Sequence, residues 1–450
     1  MKTMKLIFPA ALVLLSVHLC RAADPTNAPN WLTRPLSLAD ALNTALLQNA
    51  TILKAKNDLE ASQGLVIQAR AVALPTVTAT GKYGDEQMSL VQNFPGATNS
   101  QPHESWSSGV QISQTVYDGG RSIAALRSAS TTKKQSLAVY QTAVADTLLQ
   151  VRLAYYDVLL AAQQIVVRES SVNLLQKQLE DQQHRLDAGT IPKFTVLQAE
   201  VAVANERPAL IQARNSYRIA KNNLSNLLGY DLPREIWGDI PLNLTDGFNI
   251  TPLEVNLPEV LQQALQKRTE LEALRRTVDL QKLNVVSARS GYQPVVSVYA
   301  GYGWVSSQFS RSLDDKFEGW SAGAQLNWNI FDGAATYGRV KQAKAQLARS
   351  KTDLADQQRQ IELAVRTTYS DVMQARETLD SQAKVQEEAD EALREARARA
   401  DAGTSTQLDV LNAQTALTQA RTTQITAEHD YAAARANFER AIGNDLAPVN

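Results

Sequence analysis

Most of the stretch from Tyr117 to Gly229 occurs twice in this chain, at a fixed offset of 214 residues. Tyr117-Asp118-Gly119-Gly120 returns as Phe331-Asp332-Gly333-Ala334, and Asp187-Ala188-Gly189-Thr190 returns as Asp401-Ala402-Gly403-Thr404. Val196-Leu197-Gln198-Ala199 returns as Val410-Leu411-Asn412-Ala413, while Trp106 pairs with Trp320 and Tyr155 with Tyr369. Upstream, Leu38 to Leu42 pairs with Leu257 to Leu261 at an offset of 219. Solenoid repeats run to about 20–50 residues, so a unit of this size is instead half of one duplicated architecture.

The two halves contain long Pro-poor runs rich in Ala, Gln, Leu, Glu and Arg, which favour extended helices over compact layers. Basic and acidic residues balance at 45 and 46, which argues against a nucleic-acid surface. Residues 1–23 read as a secretory signal: Lys2 and Lys5, an apolar run from Leu6 to Leu19, then Cys20-Arg21-Ala22 as a cleavage site. A rival reading makes Cys20 the acylated first residue of a lipoprotein, but Leu19 is larger than the residue expected before such a cysteine. Removing the signal leaves 42 basic against 46 acidic residues, a net charge of −4, and no thiol. No other apolar run reaches the roughly 20 residues of a membrane helix, so any membrane crossing must use strands.

The first repeat is expected over 24–229 and the second over 257–443, with an irregular Pro-rich linker at 230–256 and a tail at 444–450. Leu36 to Ala73 has helical periodicity and stops at Leu74-Pro75. A hairpin follows at 75–117, with a polar loop from Gly84 to Glu104. A long helix is expected over 119–187 and a return helix over 193–228, where Pro208 should introduce a kink. The second half repeats this as a helix, a hairpin at 294–331, a long helix at 333–401 and a return helix at 407–442.

The strands alternate. Val110 and Ile112, then Val298, Trp304, Trp320, Leu326 and Trp328, fall on one face, opposite Gln111, Ser297 and Gln325. Apolar-out, polar-in alternation over about ten residues with terminal aromatics fits a membrane barrel, although an ordinary half-buried sheet shares it. The long helix amounts to about 100 Å, and the two shorter helices to about 57 and 54 Å. Two short helices stacked end to end therefore match one long one, giving four rods and four strands per chain. Four strands cannot close a barrel, so a membrane-embedded form must self-associate to 8, 12 or 16 strands.

These features together resemble the TolC-like outer-membrane efflux protein family. The resemblance is carried by the paired repeats, the Tyr117–Gly120 and Phe331–Gly333 junctions, and the tip motif Gly403-Thr404-Ser405-Thr406-Gln407-Leu408-Asp409-Val410-Leu411. It implies a mainly α chain with a transmembrane β-barrel portion. The assembly implied is a homotrimer, a 12-stranded β-barrel in the outer membrane of a Gram-negative bacterium continued by a periplasmic α-helical barrel. The implied function is a passive exit duct for efflux or type I secretion, docking to a periplasmic adaptor and an inner-membrane pump. Acylated members of the family keep Cys20 open.

The resemblance also places a periplasmic gate at Asp409, with Asn412 at its second acidic position and Thr195 as the counterpart in the first repeat. Asp409 is equally readable as a helix-start carboxylate favoured by the helix dipole. Gly189, Thr190, Gly403 and Thr404 match adaptor-docking tips, and glycine capping alone also accounts for the two glycines. No cofactor or metal is expected: His103, His184 and His429 have no ligand spacing, and Gly333 to Val340 matches a P-loop without its Lys and Ser/Thr. The rivals are a soluble periplasmic coiled-coil adaptor or scaffold, which leaves the hairpins unexplained, and a cytosolic helical filament, which the signal opposes.

Overall fold

The computed structural model describes residues 35–85, 104–230, 240–253, 255–306 and 316–444. The expected signal, Cys20 and most of both hairpin loops lie outside these residues. In order come α1 (Leu38–Gln48), α2 (Ala50–Ala71), β1 (Thr76–Asp85), β2 (Glu104–Tyr117), α3 (Arg121–Asp187) and α4 (Lys193–Leu227). The second half has α5 (Leu257–Lys267), α6 (Thr269–Arg289), β3 (Val295–Ser306), β4 (Lys316–Asn327), α7 (Ala335–Asp401) and α8 (Gln407–Ala441). At 67 residues each, α3 and α7 are rods of about 100 Å.

The rods lie side by side. α3 packs against α2, α4, α6 and α8, and α7 packs against α6 and α8. α2 therefore continues α4 as one composite rod, and α6 continues α8 as another, with α3 between them and α7 at the outer edge. Polar side chains make both joints. Asn49 accepts the Thr51 and Ile52 amides to cap α2, and its side-chain amide donates to the Leu227 carbonyl at 2.7 Å, at the end of α4. In the second repeat Arg268 closes the end of α8, donating to the Arg440 and Ala441 carbonyls at 3.2 Å, without capping α6. The run from Leu36 to Ala73 is thus two helices rather than one, because Asn49 is extended (φ −61°, ψ 127°) so that it can serve both helix ends. α4 runs unbroken through Pro208. Asn49→Ala should cost about 2 kcal/mol, from a lost cap and an orphaned carbonyl. A lowered thermal midpoint of the detergent-solubilised protein, with an unchanged oligomer, would register this.

Each repeat has its own core beside its joint. Tyr155 is fully buried with Val151, Leu224 and Leu228, and its hydroxyl donates to the Leu36 carbonyl at 3.1 Å. The described part of the linker wraps this core, with Ile240 and Leu242 buried and Leu244 bridged to Leu36. In the second core Ile361, Val365, Tyr431 and Phe438 surround Leu271.

The strands form one antiparallel sheet in the order β1-β2-β3-β4, so the two repeats meet at β2–β3 and the outer edges of β1 and β4 stay unpaired. β4 ends at Asn327, and Trp328 to Phe331 lead on to α7 without strand pairing. Both strand-to-helix junctions need two successive left-handed residues, Gly119-Gly120 and Gly333-Ala334. Asp118 and Asp332 then cap the helices through the Ser122 and Thr336 amides. The P-loop-like segment is therefore a helix start already satisfied by Asp332.

Candidate functional site

Cross-strand register assigns the two faces of the sheet. Val110 lies opposite Tyr302, which lies opposite Trp320. Ile112 pairs with Ala300, Val298 with Ala324, and Val296 with Leu326. Cross-strand partners share a face, so Val110, Ile112, Val298, Trp304, Trp320 and Leu326 all stand on one side. That side is uncovered in the single chain, with Trp320 at 79% exposure and Leu326 at 64%. The other face carries Thr78, Gln111, Ser113, Ser297, Ser321 and Gln325.

Aromatic side chains bound the apolar face at both ends. Toward the hairpin loops the Trp304 indole N–H donates to Glu318 at 2.8 Å, and toward the helices the Trp328 indole N–H donates to the Tyr292 carbonyl at 3.1 Å. Glu318, the partner of Trp304, and Trp328 are ten residues apart, about 33 Å along an extended chain and about 25 Å at a tilt of about 40°. This matches an apolar band of about 25 Å. No described helix is long and apolar enough to cross a membrane.

At the opposite end the helices turn back. Gly189 and Gly403 adopt φ of +72° and +73°, in space where a Cβ would touch nothing, so backbone conformation alone selects glycine there. The Thr190 and Thr404 amides donate to the Arg185 and Arg399 carbonyls at 2.9 Å, and each hydroxyl donates to the same carbonyl. The ends of α3 and α7 are thus closed by the same motif, with both Gly-Thr pairs exposed. Arg185 reaches Asp401 at 3.5 Å, and a cleft of about 490 Å³ between the tips is lined by Arg185, Thr195, Asp401 and Ser405.

Asp409 forms a capping box with Thr406 at the start of α8. The Thr406 hydroxyl and amide, then the Ser405 hydroxyl, donate to its carboxylate at 2.7, 2.8 and 2.9 Å and hold it below the usual carboxylate range. Asp409 stays ionised and exposed, so its helix-start role and a charge at the tip coexist. Asn412 is exposed three residues further on, whereas Thr195 faces the cleft between the tips. On α4, Val196, Ala199 and Val203 are buried, but Leu197 and Val201 are exposed beside Phe194. α4 is an edge rod, with a neighbour on one side only.

Sequence reasoning missed the polar lattice around the joints. Arg440, 6% exposed, donates to Asp146 of α3 and pairs closely with Glu270 of α6. Burial opposes ionisation of Glu270, but Arg440 and Arg268 outweigh it and hold the carboxyl low. No spacing signals this set, because its members lie as much as 294 residues apart. His429 places one ring nitrogen 3.0 Å from Asp157 and the other 3.0 Å from Asp430. Burial disfavours its charged form, yet the two carboxylates prevail and raise its pKa. A raised folded pKa gives stability that is complete below the ordinary value of about 6.5 and is lost as pH rises through the folded value. The thermal midpoint should therefore fall more steeply in wild type than in His429→Gln as pH rises above about 6.5. Parallel profiles would remove His429 from this role.

The sequence profile of the outer membrane efflux protein family matches residues 41–230 and 260–444, one block in each repeat. The alkaline protease secretion protein AprF of Pseudomonas aeruginosa is 24% identical over 406 residues, spanning 90% of this chain and 83% of that protein. The outer membrane protein TolC of Vibrio cholerae is 24% identical over 427 residues, 92% of this chain and 93% of that one. Among solved structures, the Campylobacter jejuni CmeC outer membrane channel has a TM-score of 0.80 at 16% identity, covering 92% of this chain and 87% of that one. VceC of Vibrio cholerae has a TM-score of 0.77 at 18% identity, covering 90% and 96%. The fold is that of outer membrane efflux channels.

Proposed function

The chain belongs to the outer membrane efflux protein family, and from that premise we propose that three copies close into one duct running from the outer membrane through the periplasm. Its work is passive export, as the exit duct of an efflux or type I secretion system. One observation carries this reading: a sheet with one apolar face and two unpaired edges is joined rigidly to rods of about 100 Å. The edges cannot remain open in lipid, where no water satisfies the backbone. Three copies give twelve strands, wider than the eight-strand barrel whose interior side chains fill. Phe194, Leu197 and Val201 on α4 face Leu408 and Leu411 across an apolar cleft near the tip and remain uncovered in the single chain.

The polar face of the sheet would line the lumen, and the Gly-Thr tips would meet the periplasmic adaptor of an inner-membrane pump. Energy and most of the selectivity would come from that pump. The N-terminal 23 residues would direct export. Three exposed Asp409 carboxylates would ring the tip and favour cations.

The purified protein in detergent should have the mass of three chains, and in a planar bilayer it should conduct with a preference for cations that Asp409→Asn reduces. A monomer that never conducts would end the duct reading. A trimer whose selectivity ignores Asp409→Asn would end only the gate assignment.

A further inference from the structure

We propose that the membrane-proximal ends of the rods carry an outward-facing receptor for an anionic phospholipid headgroup, centred on Arg289, Lys341 and Lys344. The inference rests on the outer-membrane placement above. Its first support is an abrupt charge asymmetry in a chain that is otherwise balanced. Residues 61–75, 118–145, 280–294 and 332–348, the rod ends nearest the sheet, contain 10 Lys and Arg against two acids, Asp118 and Asp332, each engaged in capping a helix. A bilayer surface rich in phosphate attracts such a collar.

The second support is a built cleft within the collar. Arg289, Tyr292 and Gln293 at the end of α6, with Tyr337, Lys341 and Lys344 of α7, line a cleft of about 530 Å³. Arg339 beside it is paired with Asp332 at 3.4 Å, but Arg289, Lys341 and Lys344 have no ion-pair partner among the described residues. Three cations are thus gathered without a counter-charge, and two tyrosines stand at interfacial depth. Lys341 and Lys344 lie about 9 and 14 Å down α7 from its start. Headgroup layers extend about 5–8 Å beyond the hydrocarbon, and lysine and arginine stems reach toward them.

The third support is direction. The buried seam of α7 runs through Thr336, Val340, Ala343 and Ser350. Tyr337, Lys341 and Lys344 each follow a seam residue by one position, about 100° around the helix. They therefore occupy a broad face of the rod layer rather than the edge that meets the next copy. Trp328, immediately after the end of β4, is bonded to the Tyr292 carbonyl and sets the cleft beside the aromatic end of the apolar face. A phosphodiester with a net negative charge, as in phosphatidylglycerol, fits this set.

The test is native mass spectrometry of the full chain in detergent, titrated separately with phosphatidylglycerol, phosphatidylcholine and inorganic phosphate. Phosphatidylglycerol should be retained at least fivefold better than phosphatidylcholine. Each charge removed in Arg289→Gln, Lys341→Gln and Lys344→Gln should lower that retention roughly fivefold. Arg349→Gln with Lys351→Gln, a turn or more further from the sheet, should leave the preference intact. The receptor is overturned if the two lipids are held equally, if inorganic phosphate binds as well as the lipid, or if the distal pair matters as much as the proximal three. Failure to incorporate into vesicles of either lipid would instead overturn the membrane placement.

Discussion

Val298→Arg is expected to abolish assembly of the proposed trimer in membrane, while Ser297→Arg, one residue away, leaves assembly intact. The register puts Val298 opposite Ala324 on the apolar face and Ser297 opposite Gln325 on the polar one. An arginine facing lipid near the midplane costs about 2–4 kcal/mol, falling toward zero at the interfaces. Three symmetry-related copies raise this to roughly 6–12 kcal/mol per trimer. Leu326→Arg should follow with a smaller loss, because Leu326 lies two residues from the Trp328 belt. Gln325→Arg should assemble and alter only conductance. Trimer content of outer-membrane fractions and single-channel conductance measure the two outcomes. Equal tolerance at Val298 and Ser297 would reverse or erase the assignment of the faces.

Arg440→Met should be the most damaging change in the helical part, at about 2–3 kcal/mol. Methionine keeps much of the volume, but Asp146 loses this cation and Glu270 is left with Arg268 alone, at 3.0 Å. Adding Glu270→Leu should restore part of the loss, because it removes a half-buried carboxylate that Arg268 alone must then balance. Acid behaviour gives a second readout. Glu270 is held below its ordinary pKa, so its contribution is present above about 4.5 and is lost as pH falls through the folded value. In Arg440→Met that acid-side loss of stability should flatten. A variant that melts with the wild-type acid profile would show that the Arg440–Glu270 pair carries no stability.

Much of the fold is legible in the sequence because its signals are local. Pleat alternation places Val110, Ile112, Val298, Trp320 and Leu326 together, and the register of the sheet keeps them on one face. The Pro-free run from Gly119 to Asp187 corresponds to a helix over Arg121–Asp187, and the glycine before each tip threonine has the left-handed conformation that ends the rod. Rod lengths also imply end-to-end stacking, since two short helices must span what one long one spans.

The joints themselves were not legible. Leu36 to Ala73 keeps one helical period across Asn49, and only the approaching end of α4 makes the extended Asn49 favourable, by giving its amide a carbonyl to satisfy. Asp409 illustrates the same limit, since spacing marks it as acidic and near a helix start but cannot assign its hydrogen bonds. Sequence alone determined the duplication, the rod lengths, the alternating strands and the capped tips, because each depends on neighbours within a turn or a pleat. Tertiary structure decided where the rods break, which stripe of α4 stays bare, and how Arg440, Asp146 and Glu270 meet. Those depend on contacts across as many as 294 residues, which no local period encodes.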